Sequence, residues 1–495
     1  MKADVVILGA GLAGLVAAIE ARAHGADALV LDRLPPPGQW NAVSLLPGGI
    51  GNDTFRSGGG GLARFAGDTL VEHLLDGPGE IEAGRDPVDI LIERHMRLGW
   101  GEVDTALLRT YCSRVFDDCL WLRDELKMPY DESGRTVKGL GIGLFRRLYE
   151  AAGERGVRMQ FHTRARALLT DATGRIRGVR VTDTSKTGEA QAAEIECGAV
   201  ILATGGFQGS RELLMEHVGA TLTQDVAMVG SPENTGDGLV MAQALGAKTR
   251  HLSVCHIRTT DIYYGQGPSR YLMHIYPLGI YFNRRFERFI DEGVADSDTV
   301  ANAIAFQPGA SAGLVFDDKA RAKYAREYEK YPRREQLIES AGSIEELARR
   351  MHIDPQGLKK LVDTFNAGIR DGKASGPNLP KSRLAVPIDT PPFHGFHPVR
   401  PAMNHTLGGL VVDGKSCRVL KTDGNPIPGL YAAGTVLNWA YGKPYEIDGV
   451  TSYRGSYHAG ASSGAGIALM SGRLAGEHAA RGRAAAVAAA ISAVT

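Results

Sequence analysis

Three glycines and one aspartate near the start of the chain have the types and spacing needed to bind a dinucleotide. They are Gly9, Gly11, Gly14 and Asp32, in the pattern GxGxxG followed by an acid. In such a motif the first glycine makes a tight turn, the second lets the backbone approach a pyrophosphate, and the third lets a helix pack on a strand. The acid can accept hydrogen bonds from a ribose. Together these residues predict a site for the ADP part of a cofactor.

The elements that position this motif can be read from the flanking sequence. The apolar run 4–8 predicts a strand, the alanine-rich stretch that follows predicts a helix, and ALVLD predicts a second strand. This order is that of a dinucleotide-binding unit, whereas an isolated glycine motif is also met in ordinary turns. Two later segments, GAVILATGGF (198–207) and PIPGLYAAGTV (426–436), predict strands that end in small-residue turns. They suit an extended dinucleotide and favour FAD over NAD.

Length and composition narrow the class of protein. The 495 residues predict two or three domains, because single cores stop growing well below this length. Lys plus Arg and Asp plus Glu number 56 each, so no net charge draws the chain to nucleic acid or anionic lipid. Five scattered cysteines without CxxC spacing argue against zinc clusters, disulfide frameworks and attached haem, and they fit a reducing cytoplasm. The glycine-broken apolar run at the start predicts neither a signal peptide nor a membrane span.

Seven segments, in order, resemble the flavoprotein superfamily of fumarate reductases, 3-ketosteroid dehydrogenases and tricarballylate dehydrogenases. They are GAGLAG with its acid, VILATGGF, NTGDGLVMAQALGA (234–247), FNRRFERFIDE (282–292), NHTLGGLVVD (404–413), GLYAAG (429–434) and SGRLAGE (471–477). The resemblance covers nearly the whole chain. It implies an α/β fold with a Rossmann-like FAD-binding domain split in sequence, residues 1–245 and 396–495. It also implies an inserted α+β capping domain, residues 246–395, that closes over substrate.

The resemblance further implies which residues bind FAD. The ADP half is assigned to the glycine motif and Asp32, and Ala203, Thr204 and Gly205 are expected to line it. Leu12, Ala13, Arg33 and Asp237 are further expected cofactor contacts. After the second strand two registers are open: Asn41, Ala42, Gly48 and Gly49 are the expected flavin contacts, and the run Ser57–Gly61 is the alternative. The expected neighbours of the isoalloxazine ring are Gly434, Thr435, Ser462, Ser463, Gly464 and Ala465. Thr435 stands where the family usually has a glutamate. No histidine occupies the family's covalent attachment position, so FAD is expected to bind non-covalently.

The proton donor of the fumarate reductases is missing from this chain. In those enzymes an arginine stands four residues after a glutamate, and here Glu292 is followed at that distance by Asp296. Ketosteroid dehydrogenases have a proton-abstracting tyrosine at this position, so Asp296 could act as a base toward the carbon next to a carbonyl. It could equally be a helix cap or a surface acid.

Four other residues are candidates for substrate contact. His256 and His405 match positions where fumarate reductases hold substrate carboxylates, and an imidazole can donate to a carboxylate or a carbonyl oxygen. Tyr457 resembles, with one residue of slippage, the tyrosine with which ketosteroid dehydrogenases polarise the substrate ketone; it could otherwise pack against the flavin helix. Arg454 lies close to the position of the family's substrate-binding arginine.

The candidate residues combine two histidines at positions that bind a substrate carboxylate in the fumarate reductases with a tyrosine like the one that polarises the substrate ketone in the ketosteroid dehydrogenases. They predict an FAD-dependent desaturase that introduces a C=C bond next to a carbonyl, by α-proton abstraction and hydride transfer to flavin N5, on a cyclic ketone or keto acid. The alternatives are a tricarballylate-type polycarboxylate dehydrogenase, an enoate reductase, and a non-catalytic flavoprotein subunit. The expected partners are a small carbonyl or carboxylate substrate and an electron acceptor, which could be oxygen, a quinone or an electron carrier.

Overall fold

A computed structural model gives the positions of most of the chain. It describes residues 1–40, 52–56, 65–66, 69–70, 89, 92–93, 96, 104–131, 137–185, 192–220, 223, 226–228, 230–260, 276–293, 297–323, 338–376, 379–438 and 464–492. The helices are α1 Leu12–Ala23, α2 Asp53–Arg56, α3 Thr105–Asp124, α4 Leu140–Glu154, α5 Arg211–His217, α6 Asp237–Gln243, α7 Ser297–Ala305, α8 Asp318–Lys323, α9 Ile344–Arg350, α10 Pro355–Ala367 and α11 Gly464–Ser492. The strands are β1 Val5–Leu8, β2 Ala28–Leu31, β3 Phe65–Ala66, β4 Thr69–Leu70, β5 Arg158–Gln160, β6 Thr163–Thr170, β7 Ile176–Asp183, β8 Ala192–Glu196, β9 Ala199–Leu202, β10 Ala227–Met228, β11 Thr249–Arg250, β12 Cys255–Thr260, β13 Ile280–Phe282, β14 Ala312–Asp317, β15 Glu339–Ala341, β16 Ile369–Arg370, β17 Lys373–Ala374, β18 Phe393–Thr406, β19 Gly409–Leu410, β20 Arg418–Leu420 and β21 Pro426–Ala432.

The nucleotide-binding part of the fold is built on a six-stranded sheet with the strand order β20-β21-β9-β1-β2-β5. β1 pairs in parallel with β2 and β9, and β9 pairs in parallel with β21. Strands β1, β2 and β9 are buried at every position, which explains why their sequences are continuous apolar runs. The predicted order of strand, glycine turn, helix and strand is present at the start of the chain. The carboxyl ends of the parallel strands β1, β9 and β21 lie along the same side of this sheet. α/β folds bind their ligands beyond the carboxyl ends of such strands.

The long C-terminal helix α11 packs directly against α1. A side-chain carbon on Gly472 would lie 2.7 Å from the carbonyl oxygen of Ala13, and one on Gly476 would collide with the carbonyl of Ala17. Only glycine at these two positions lets the two helix backbones come so close. The contact holds α11 against the helix that begins at the glycine turn.

The second large sheet is built around β18, which is 14 residues long. It pairs with β10 in parallel and with β12, β14 and β15 in antiparallel fashion, and β13 pairs with β14. Residues 278–320 and 338–399 supply two hydrophobic clusters on this sheet and its helices, one around Tyr281 and Phe316, the other around Phe282 and Leu347. Strand β18 runs through residue 396, where the capping domain is expected to end. One continuous strand therefore connects the expected cap to the nucleotide-binding part.

Within the part of the chain that the structure describes, no helix has both the length and the apolar character that crossing a bilayer requires. All five cysteines lie in this part, and none of them forms a disulfide.

Candidate active site

The glycine turn between β1 and α1 is tight at two glycines and open at the third. Gly9 has a φ of +109°, and a side chain there would collide with the carbonyl of Ala203. A side chain at Gly14 would collide with the carbonyl of Gly9. Among the described residues, an added carbon at Gly11 would meet only the Thr54 hydroxyl oxygen, at 3.5 Å. An open backbone at this glycine, next to the first amides of α1, is what a diphosphate requires, so the turn fits FAD.

Asp32 lies at the end of β2 and faces the glycine turn. Its carboxylate accepts hydrogen bonds from the backbone N–H groups of Ala10 (2.7 Å) and Leu34 (2.9 Å). Burial raises the pKa of this carboxyl group above its ordinary value, against the opposing effect of the two N–H groups. Each carboxylate oxygen accepts more than one hydrogen bond, so Asp32 can still receive a ribose hydroxyl.

The turn after β9 packs against the start of α6. Gly205 has a φ of +74°, and a carbon added to it would lie 2.5 Å from Asn234 Nδ2. A carbon added to Gly238 would collide with the hydroxyl of Thr204. Small residues are therefore needed on both sides of this contact. The arrangement holds Ala203 and Thr204 directly behind the first glycine turn.

Asp237 forms an ion pair that sequence reasoning missed. Arg164, on β6, donates to both of its carboxylate oxygens at 2.7 Å, and the Thr235 hydroxyl donates at 2.9 Å. Burial alone would raise the pKa of Asp237, but the hydrogen bonds and charge of Arg164 outweigh it and lower the pKa. Arg33 binds in the same cluster, through Thr235 (2.8 Å) and the carboxylate of Glu233 (3.0 Å). A direct contact of Asp237 or Arg33 with FAD stays a prediction.

Residues 52–54 were also missed, although they contact both glycine turns. The Thr54 hydroxyl accepts a hydrogen bond from Leu12 N at 2.8 Å, and Asn52 Nδ2 donates to the carbonyl of Ala10 at 3.0 Å. Three consecutive residues of helix-capping type, Asn-Asp-Thr, were the available signal. Their partners lie 42 residues away, and no local pattern points to them.

The two candidate substrate histidines lie side by side. His256 on β12 stands opposite His405 on β18, and their ring centroids are 4.9 Å apart. Both are buried, and Asn404 Nδ2 lies 3.0 Å from His256 Nδ1. A carbon added to Gly464, the first residue of α11, would lie 4.0 Å from His405 Nε2. The pair therefore adjoins the N-terminus of a 29-residue helix, where partial positive charge favours an anion.

Gly434 and Thr435 lie on the same side of the site. Gly434 has a φ of +79°, and its backbone N–H donates to the Ser471 hydroxyl on α11 at 2.9 Å. A carbon added to Gly464 would be 3.5 Å from Thr435 Cγ2. The structure thus brings the turn after β21, the start of α11 and His405 together.

The segment 282–292 contains a buried ion pair in the expected cap. Arg288 Nη2 contacts Glu292 Oε2 at 2.6 Å, and the two side chains are 7% and 0% exposed. The carboxylate of Glu292 also accepts from the backbone N–H of Tyr281 at 2.9 Å. Because Glu292 is enclosed in this pair, it has a structural role.

Several predicted site residues lie outside the described part of the chain. They are Asn41, Ala42, Gly48, Gly49, Asp296, Arg454, Tyr457, Ser462 and Ser463, together with the alternative run Ser57–Gly61. The residue after Asp296 is the first of α7, so its alternative role as a helix cap stays open.

The parallel sheet and the glycine turns at the ends of its strands form a site that fits FAD, and they define an FAD-dependent oxidoreductase. Residues 4–50 and 74–452 match the model of the FAD binding domain family, and the chain belongs to that family.

Relatives and solved structures agree with this assignment. The chain is 26% identical to fumarate reductase (cytochrome) of Shewanella frigidimarina, over 89% of this chain and 72% of that protein. It is 29% identical to 4-oxocyclohexanecarboxylate 2-dehydrogenase of Sinomonas cyclohexanicum, over 66% of this chain and 61% of that protein. Among solved structures, the open conformation of a flavocytochrome c3 fumarate reductase has a TM-score of 0.74 at 23% identity, covering 97% of this chain and 78% of the other. The 3-ketosteroid-Δ4-(5α)-dehydrogenase of Rhodococcus jostii RHA1 has 0.67 at 23%, covering 97% of both chains.

Proposed function

We propose that this protein is an FAD-dependent desaturase that introduces a C=C bond next to the ketone of a cyclic keto acid. The observation that carries the proposal is the His256–His405 pair beside the start of α11. Two adjacent imidazoles and a helix N-terminus can bind a carboxylate or a carbonyl oxygen. The relative whose name specifies 4-oxocyclohexanecarboxylate acts on a ring that carries both groups. Its similarity supports the same substrate class here.

The histidines orient the substrate in this proposal. With the Asn404 amide N–H donating, His256 Nδ1 accepts, and the imidazole carries its proton on Nε2. His256 can then donate from Nε2 while it stays neutral. His405, on the adjacent strand, supplies the second donor. Bound FAD supplies the hydride acceptor, N5, for the hydrogen leaving the β-carbon.

Three residues outside the described part complete the proposed chemistry. Asp296 takes the α-proton as the base, and Tyr457 donates to the ketone oxygen and so stabilises the developing enolate. Arg454 pairs with the substrate carboxylate. The α-proton goes to the base and the β-hydride leaves with its electron pair, so the two carbons gain one bond and the substrate is oxidised by two electrons. Oxygen, a quinone or an electron carrier then reoxidises the cofactor.

A second candidate is a polycarboxylate dehydrogenase or an enoate reductase. It is favoured by the similarity to fumarate reductase (cytochrome) and by histidines at the carboxylate-binding positions. In this case both histidines would bind carboxylates, and the reaction could run toward the saturated product.

An anaerobic titration separates these candidates. The purified holoprotein is mixed with saturated cyclic ketones, the same rings bearing a carboxylate, and open-chain polycarboxylates, while the oxidised flavin band is recorded. We expect bleaching by the cyclic keto acids. Bleaching by polycarboxylates alone supports the second candidate, and reoxidation of chemically reduced flavin by an enoate, without any bleaching, indicates a reductase. Rapid exchange of electrons with a protein partner, and no response to any small molecule, would indicate a non-catalytic subunit.

A further inference from the structure

The segment Asn52–Thr54 binds the glycine turn between β1 and α1 through two hydrogen bonds. Asn52 binds the carbonyl of Ala10, and the Thr54 hydroxyl accepts the N–H of Leu12. These two backbone groups flank Gly11, where an added carbon would meet no described atom except Thr54 Oγ1. The segment therefore holds the part of the turn that a diphosphate would approach.

Asp53, between them, gathers three donors from the opposite side of the site. Its Oδ1 accepts from Ser231 N at 2.5 Å, and its Oδ2 accepts from Asn234 Nδ2 at 2.6 Å and Gln208 Nε2 at 3.1 Å. The three donor residues are 0%, 9% and 1% exposed, in that order. Buried donors of this kind are costly to leave unpaired.

The donors on Asp53 come from two segments that pack together: Gln208 lies in the turn after β9, and Ser231 and Asn234 lie before α6. The Asn234 amide fills the space in front of Gly205, and Gln208 Oε1 would lie 2.7 Å from a carbon added to Gly206. The same turn is tied to the strand of the histidine pair, because Phe207 N donates to the Thr406 hydroxyl at 3.1 Å. A shift of the Asp53 carboxylate would therefore shift the turn that faces the first glycine turn.

We propose that Asp53 is a positioning residue for FAD: it holds the turn after β1 and the turn after β9 at the separation the dinucleotide needs. The inference rests on FAD binding and is independent of the substrate. A site whose two turns are already held in place binds FAD more tightly, because fewer protein groups have to be ordered when FAD binds.

The direction in which the Kd of FAD changes when Asp53 is replaced distinguishes a positioning role from a simple effect of its negative charge. As a negative charge close to a diphosphate site, Asp53 would oppose FAD, and its neutralisation would tighten binding. As a positioning residue, its replacement by asparagine weakens binding, because the new NH2 group faces the donors of Asn234 and Gln208. The two accounts predict changes in opposite directions.

The test measures the Kd of FAD by titrating the apoprotein, prepared from purified holoprotein, and following flavin fluorescence. We expect Asp53→Asn to raise the Kd about tenfold or more, equivalent to about 1.4 kcal/mol. The swapped pair Asp53→Asn with Asn234→Asp restores one donor and one acceptor, and should recover the Kd to within about threefold. Asn234→Asp alone places two carboxylates together and should bind as weakly as Asp53→Asn.

Asp118→Asn is the matched control. Asp118 is also a buried carboxylate, 1% exposed, but it lies on α3 and binds Arg473 of α11 at 2.7 Å. Its replacement should lower the melting temperature of the apoprotein and leave the Kd of FAD unchanged.

An unchanged or tighter Kd in Asp53→Asn, no recovery in the swapped pair, or an equal loss in Asp118→Asn would overturn the proposal. If Asp53→Asn does not fold, Asn234→Ala takes its place, because Asp53 then still accepts from Ser231 and Gln208. A Kd of FAD raised about fivefold in Asn234→Ala supports the proposal, and an unchanged Kd overturns it. These readouts need no substrate, so failure of the desaturase proposal leaves them unaffected.

Discussion

Replacing Gly11 with alanine should separate cofactor binding from folding. Gly11 has a φ of −78° and a ψ of −176°, a backbone conformation open to any residue. Within the part of the chain that the structure describes, the added carbon meets only Thr54 Oγ1, at an ordinary 3.5 Å. Alanine at this helix N-cap costs about 0.5–1 kcal/mol, and the lower freedom of the unfolded chain returns about 0.4–1 kcal/mol. We therefore expect the melting temperature of the apoprotein to change by no more than about 2 °C.

The effect on FAD should be much larger. The new methyl group occupies the open approach to the glycine turn and keeps the diphosphate from the first amides of α1. We expect the Kd of FAD to rise at least about tenfold, equivalent to about 1.4 kcal/mol. In contrast, Gly14→Ala drives a carbon into the carbonyl of Gly9, a backbone collision that should cost the apoprotein about 3 kcal/mol.

Gly38→Ala is the neutral control, because an added carbon there meets no described residue within 4 Å. The assay pairs thermal unfolding of each apoprotein with FAD titration. The reasoning would be refuted if Gly11→Ala bound FAD within twofold of the parent protein. It would also be refuted if Gly11→Ala destabilised the apoprotein as much as Gly14→Ala.

Three further predictions concern the histidine pair and the buried charges of the expected cap. His405→Gln should weaken binding of a keto acid at least about tenfold and leave the Kd of FAD unchanged, as measured by flavin perturbation and by apoprotein titration. Glu292→Gln leaves Arg288 buried without its counter-charge, so it should lower the free energy of unfolding by about 3–5 kcal/mol in denaturant titrations. Glu346 is the control because its ion pair with Arg350 is exposed, and Glu346→Gln should change the free energy of unfolding by less than about 0.5 kcal/mol. Burial lowers the pKa of Lys381 to about 8, so the unfolded state binds more protons than the folded state between pH 8 and about 10. The stability of the parent protein relative to Lys381→Met should therefore rise by roughly 2 kcal/mol across that range.

Each of these has a contradicting result. Unchanged keto-acid affinity in His405→Gln would remove the histidine from the substrate site. Similar losses in Glu292→Gln and Glu346→Gln would mean that burial does not strengthen the first ion pair. A stability difference between the parent and Lys381→Met that stays flat, or falls, between pH 8 and 10 would mean that the lysine keeps its ordinary pKa.

The nucleotide-binding unit was predictable because its signals act over short stretches of chain. Gly9 is favoured by its positive φ, Gly14 is required by the carbonyl of Gly9 in the same turn, and fully buried parallel strands must be apolar throughout. The resemblance also pointed to His256 and His405, which the structure places in register on neighbouring strands. It pointed equally to Asp237, but gave no sign of its partner.

The partners of the buried polar groups were not predictable from the sequence. Arg164 pairs with Asp237 across 73 residues, and Asp53 binds Asn234 across 181 residues. Neither pair is marked by a spacing or a periodic pattern.

The sequence by itself determined the strand, glycine turn, helix and strand that form the cofactor-binding unit, since local backbone sterics and hydrophobic periodicity select them. The tertiary structure decided which distant side chains satisfy the buried donors around that unit, and how close the histidine pair lies to the start of α11. The physical reason is that a buried hydrogen bond depends on distance and direction between groups, and for groups far apart in the chain these arise only when the sheets and helices pack.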